Sequence, residues 1–108
     1  MITEIKSTEQ FDNAIKDPSV TLVDFYADWC GPCKMLSPTL EAFASSAPAT
    51  NVVKVNVDDH HELAARFSIR GIPALLWFKN GQLVHAQSGS CSAATLKNVN
   101  DQITDSVT

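Results

Sequence analysis

Two thiols stand three residues apart in Trp29-Cys30-Gly31-Pro32-Cys33, where an apolar, β-rich run gives way to helical spacing. Residues i and i+3 on a first helical turn are neighbours, so their sulfurs can close a small disulfide ring and reopen it. Cys30 falls just before the helix, where free N–H groups and the positive end of the macrodipole favour the ionised thiol, and this marks it as the exposed nucleophile. Cys33 lies one turn inside, on a face expected to be covered, and should stay protonated until needed. A zinc ligand pair is the competing chemistry. Zinc needs two further ligands, and His60, His61, His85 and Cys91 show no ligand spacing relative to the pair, so no metal is expected. Electron exchange is the favoured reading.

Two further positions could serve that chemistry. Asp24 sits inside the apolar run Val20–Ala27, and a carboxylate there is costly unless it is paired or functional. Burial should raise its pKa and fit it to carry a proton. Lys54, in the middle of a second strand, is a candidate counter-charge; from the residues alone a purely structural pair remains open. Gly71 and Pro73 punctuate the approach to another strand. Taken alone, Ile72-Pro73 reads as a trans proline at a strand start, although X–Pro bonds supply nearly all cis peptides.

The elements that must hold these residues are legible in the spacing. Ser7-Thr8-Glu9-Gln10 has the form of a capping box, opening a helix with Phe11, Ala14 and Ile15 on its apolar face and Asp17-Pro18 as its stop. The run Val20–Ala27 is nearly continuously apolar, as in a central strand covered on both faces. A helix follows it, carrying Leu36, Leu40, Phe43, Ala44 and Ala47; Pro32 fits its first turn, and a kink is expected at Pro38. Val52–Val57 alternates as a strand, with Val53, Val55 and Val57 on one face and Lys54 on the other. A short helix is expected around His61–Ser68. Ala74–Phe78 and Gln82–Ala86 flank Lys79-Asn80-Gly81, and Asn-Gly is the strongest short hairpin signal. Leu96, Val99 and Ile103 mark a closing helix. If Ser92 caps it, Cys91 and Leu96 take the two positions of a hydrophobic staple, so Cys91 is read as packing. The pattern is an α/β sandwich, parallel in its first half and antiparallel after it.

Composition narrows the function classes. A chain of 108 residues fits one domain, here 1–108. With a net charge of −4 it has no electrostatic footprint for nucleic acid. No apolar run approaches the roughly 20 residues that a membrane span needs, so no membrane partner is expected. The start Met1-Ile2-Thr3-Glu4-Ile5-Lys6 lacks the pattern of a signal peptide, and three cysteines is a low, odd number for a secreted scaffold. A reducing, cytoplasmic setting is the expectation.

Phe25-Tyr26-Ala27-Asp28-Trp29-Cys30-Gly31-Pro32-Cys33-Lys34, then Pro38, Lys54-Val55-Asn56-Val57-Asp58, Ile69-Arg70-Gly71-Ile72-Pro73 and Phe78-Lys79-Asn80-Gly81, together resemble the thioredoxin family. The resemblance spans nearly the whole chain in order. It implies a thioredoxin fold, a central mixed β-sheet flanked by four helices, with a cis Ile72–Pro73 bond facing the dithiol. It implies a protein-disulfide reductase in which Cys30 attacks a client disulfide and Cys33 resolves the mixed disulfide, giving up its proton to Asp24 directly or through a water. Lys54, Gly31, Pro32 and Pro73 would support this chemistry. Clients would dock on Trp29, Gly31, Pro32, Ile72, Pro73 and Gly89, with the Ile72 backbone pairing like an added strand. A flavin-containing, NADPH-dependent thioredoxin reductase would recharge the dithiol, which carries the electrons itself, so no bound cofactor is implied. A monomer is expected. Tyr26, where many relatives carry a second Trp, and Ser88, where an apolar residue is usual, depart from the pattern and bear on partner choice.

Three other readings compete. One is a binding subunit on the same fold with a dispensable dithiol, which the complete set of Cys30, Cys33, Asp24 and Pro73 weighs against. Another is an oxidase or isomerase of an oxidising compartment, which Gly31-Pro32 between the thiols weighs against. A glutaredoxin would usually carry Pro-Tyr there instead.

Overall fold

The computed structural model describes residues 2–105, so the expected domain 1–108 extends past them by Met1 and by the last three positions. In chain order the elements are β1 (Ile2–Glu4), α1 (Thr8–Ile15), β2 (Thr21–Tyr26), α2 (Gly31–Ser46), β3 (Asn51–Asn56), α3 (His61–Arg66), β4 (Ala74–Lys79), β5 (Gln82–Ser88) and α4 (Ala93–Thr104). The strands form one sheet in the order β1-β3-β2-β4-β5. β1, β3 and β2 run parallel, while β4 is antiparallel to β2 and β5 to β4. This is the mixed sheet with four helices that the sequence implies.

The near-continuous apolar runs of β2 and β4 are explained by two cores. Phe11, Ile15, Val23, Phe25, Val53, Val55, Leu63, Leu76 and Phe78 fill the face covered by α1 and α3. Leu22, Leu36, Leu40, Phe43, Val52, Leu75, Trp77 and Leu96 fill the face covered by α2 and α4. Alternate residues of each central strand therefore enter opposite cores, and no position is left for a polar face. Trp77 is fully buried, as a core residue should be.

Phe11 anchors the first core, with its ring 5.6 Å from that of Phe67 and 6.0 Å from that of Phe78. Truncating it leaves a void among rigid rings. Phe11→Ala is expected to lower unfolding stability by about 3–5 kcal/mol, read as a shifted urea midpoint with an unchanged slope.

Local signals account for the boundaries. Ser7 Oγ accepts the Gln10 N–H at 3.0 Å, but the Gln10 side chain accepts from Lys6 N rather than from the capping residue, so the box closes one residue early. Asn80 and Gly81 take φ of 55° and 82°, the left-handed pair that the two-residue hairpin demands. Ser92 caps α4 through the Thr95 N–H, and Cys91 is half-buried against the core that contains Leu96, consistent with the packing role read for it. α2 runs on through Pro38 as one helix. α3 ends two residues before the expected limit, because Ser68 turns to φ 53°. β1 is not legible in the sequence. Three residues with one apolar side chain give no period, and only the register Ile2↔Val52, Thr3↔Val53, Glu4↔Lys54 identifies the strand. Among the described residues no helix is long and apolar enough to cross a membrane.

Candidate active site

The dithiol lies at the carboxyl end of β2, where the chain leaves the sheet and enters α2. Cys30 is the N-cap of α2, and Cys30 and Cys33 are joined as a disulfide with Cα atoms 5.2 Å apart. The Cys33 N–H donates to Cys30 Sγ at 3.1 Å. One of the helix's unpaired N–H groups thus points at the sulfur expected to carry negative charge after reduction. Pro32, lacking an N–H, sits in the same turn without loss.

The Ile72–Pro73 bond is cis, as the family resemblance implies and the bare dipeptide does not. The Ile72 carbonyl oxygen lies 3.8 Å from Cys30 Sγ. Gly89, just past β5 and at φ 89°, donates its N–H to the Pro73 carbonyl at 2.8 Å, so the end of β5 is tied to the proline loop. Ser90 Oγ donates to the Pro32 carbonyl at 3.3 Å and ties this segment to the start of α2. Three chain segments separate in sequence, Trp29–Cys33, Ile72-Pro73 and Gly89-Ser90, therefore meet at the disulfide.

Exposure corrects one expectation. Cys30 is only 4% exposed, hardly different from Cys33 at 5%, where the sequence suggests an open sulfur above a covered one. Tyr26, Val57 and Ile72 pack around Ala27 and both cysteines, and the disulfide draws the two sulfurs into that one patch. The exposed surface is supplied by neighbours: Trp29 at 70%, with Gly31 and Pro32 also exposed. The Trp29 indole is held by its Nε1–H, which donates to Asp58 Oδ2 at 2.9 Å. No role for Asp58 is legible from spacing, since the bond joins residues 29 positions apart.

Asp24 is buried on β2, and its pKa is raised from 3.8 to about 6, chiefly by burial; Lys54 opposes the rise and Glu4 adds to it. Its Oδ1 has no hydrogen-bond partner among the described residues. Asp24 and Lys54 are register partners on adjacent strands, yet no ion pair joins them among the described residues. The Lys54 ammonium lies instead 4.3 Å from the centre of the Tyr26 ring. The expected counter-charge is thus a looser influence: Lys54 acts on Asp24 through its charge and rests over the Tyr26 ring. Lys54, Tyr26, Ser37 and Cys33 line one cleft of about 310 Å³, which opens the buried side of the dithiol to solvent.

A sheet of this order with a redox-closed Cys-x-x-Cys at a helix start, faced by a cis-proline loop, defines the class: a thiol–disulfide exchange protein. The sequence model of the family described as Thioredoxin matches residues 2–102. Thioredoxin-1 of Saccharomyces cerevisiae is 40% identical over 94 residues, covering 87% of this chain and 91% of its own. A mutant thioredoxin from Halobacterium salinarum superposes with a TM-score of 0.91 at 34% identity, covering 99% and 94% of the two chains. A chain in a yeast structure on thiol resolution in mitochondrial 1-Cys peroxiredoxin, via the glutathione and thioredoxin systems, superposes with a TM-score of 0.84 at 33% identity, covering 93% and 94%. The chain belongs to the thioredoxin family. It is a thiol–disulfide oxidoreductase of the protein-disulfide reductase type, with Cys30 and Cys33 as its redox pair.

Proposed function

We propose that Cys30 is the attacking sulfur, Cys33 the resolving one and Asp24 the proton acceptor for Cys33. The observation that carries this assignment is the Cys33 N–H donating to Cys30 Sγ at the N-cap, which favours negative charge on Cys30 and on no other sulfur. In the reduced protein the Cys30 thiolate attacks one sulfur of a client disulfide. A Cys30–client bond forms, the client's second sulfur leaves as a thiolate, and that thiolate takes up a proton. Cys33 then loses its proton and attacks Cys30 Sγ. The Cys30–Cys33 bond forms, the client's first sulfur departs, and two electrons have passed to the client.

Asp24 suits the proton step because its Oδ1 is buried and unpartnered among the described residues, and it is the register partner of Lys54, which lines the cleft with Cys33; a water would carry the proton between the cleft and the carboxylate. Trp29, Gly31, Pro32, Ile72 and Gly89 would form the docking surface, while Pro73, expected there from the sequence, is buried and acts by shaping the loop that carries Ile72. The Ile72 carbonyl beside Cys30 is placed to receive an N–H from an extended client segment, while backbone pairing leaves client side chains largely unread. Peroxiredoxin-type disulfides are one reasonable client class, given the subject of the related yeast structure.

The dithiol carries the electrons, so the cycle calls for no bound cofactor, only a flavin-containing, NADPH-dependent thioredoxin reductase as partner. The protein acts as a monomer in the cytoplasm, a setting that suits its sparse, odd cysteine content. The test couples the protein to such a reductase and NADPH with an insulin-like protein disulfide as substrate. NADPH consumption should depend on all three components. If reductase and NADPH leave the disulfide closed, while a small dithiol opens it, the recharging partner is of another kind.

A further inference from the structure

Tyr26 and Glu4 form a contact that the redox cycle above does not use. The Tyr26 hydroxyl lies 2.8 Å from each carboxylate oxygen of Glu4 and donates to that group. Glu4 on β1, Lys54 on β3 and Asp24 on β2 are register partners in one row across three adjacent strands, so they share a sheet face. Lys54 stands between two carboxylates and rests its ammonium over the Tyr26 ring, paired with neither.

We propose that Glu4 and Tyr26 are positioning residues for proton transfer at Cys33: Tyr26 fixes Glu4 beside Lys54, and Lys54 divides its charge between Glu4 and Asp24. This rests on Asp24 as the proton acceptor. The row geometry carries it. With one ammonium flanked by two carboxylates, charge on the outer one weakens the help the inner one receives. The direction agrees with the influences on Asp24, where Glu4 adds to the rise that burial begins. The Tyr26 phenol is itself held protonated, first by burial and then by its bond to Glu4, and so remains a donor.

The other charged and titratable groups on this side are Asp28 after β2, Cys33 and Lys34 on α2, and Lys6, Asp59 and His60, which line the cavity beside Glu4 and Tyr26. β4 places Leu75 opposite Asp24, and α4 contributes Leu96 and Asn100 to this face, none of which titrates. Glu4 is therefore the one further carboxylate in the strand row that holds Lys54 and Asp24.

The experiment follows the Asp24 carboxyl carbon by NMR through a pH titration of the oxidised full chain. Glu4→Gln should lower the midpoint by about half a pH unit or more, about a threefold loss of proton affinity. Tyr26→Phe keeps the ring but frees Glu4 toward water; it should lower the midpoint by less, and adding Glu4→Gln to it should then shift the midpoint less than Glu4→Gln does alone. Glu9→Gln, on the exposed first turn of α1, should leave it in place. An unmoved midpoint in Glu4→Gln, or equal Glu4→Gln shifts in both backgrounds, overturns the proposal. The same variants are read in the pH profile of the resolving step, which should move with the midpoint. A moving midpoint with a static profile sinks Asp24 as proton acceptor and the positioning role with it. An unmoved midpoint sinks only the part given to Glu4 and Tyr26.

Discussion

Cys33→Ser converts the catalyst into a trap: turnover falls at least about a thousandfold, while clients accumulate as mixed disulfides at Cys30. The reason is that resolution is intramolecular. The two sulfurs occupy one patch, bonded to each other in the oxidised form, so the second attack needs no diffusive encounter. Well-oriented intramolecular groups reach effective concentrations of roughly 10⁵–10⁸ M, and even a small fraction of that far exceeds any external thiol in a cell. Serine supplies a hydroxyl that cannot close a disulfide, so the first exchange proceeds and the second does not. Non-reducing electrophoresis with mass spectrometry of the adduct should place the client on Cys30. Cys30→Ser, by contrast, should trap nothing and turn over nothing, because the remaining Cys33 lacks the N-cap position and the facing N–H. Adducts found on Cys33, or on the partly buried Cys91, would reverse the assignment of roles.

The parts of this site that could be read from the sequence are those that depend on short spacing. The dithiol, the helix start after it and the Asn80-Gly81 hairpin are all set within a few residues, and each is found where the spacing puts it. The burial of Asp24 follows from the length of one apolar run. What sequence alone does not reveal depends on pairing between distant strands and loops. The Trp29–Asp58 bond, the Tyr26–Glu4 contact and the seat of Lys54 over an aromatic ring all join residues 22 to 29 positions apart, or meet across strands whose register no local pattern fixes. The strand β1 belongs to the same class, being too short to show a period, yet it delivers Glu4 to the site. The burial of Cys30 escapes local reading for a related reason. A helix N-cap suggests an open position, but the loop that covers it comes from Ile72, 42 positions along the chain, and no short-range pattern announces its approach.

Asp24→Asn should make the protein more stable at neutral pH and a poorer catalyst, and the two effects share one cause. The carboxyl pKa is raised from 3.8 to about 6 in the fold, mainly because burial penalises the charged form. Between those values the native state holds a proton that the unfolded chain has released, so stability falls as pH rises through this window. Above it the full cost is in place, about 3 kcal/mol as an upper figure for a shift of this size. Well below pH 3.8 both states are protonated and the cost disappears. Asparagine has nearly the same shape and no charge to bury. It should therefore raise the urea midpoint at pH 7 and above, and change it little at pH 3.5. Losing the acceptor slows the resolving step, and general-base contributions of about a hundredfold are ordinary. The deficit should be largest near neutrality and shrink as pH rises, because Cys33 then ionises without help. A variant that gains stability at pH 7 but resolves mixed disulfides at the normal rate would show Asp24 to be an electrostatic burden without a part in proton transfer. Equal loss of rate at every pH would point instead to a disturbed geometry around Cys33.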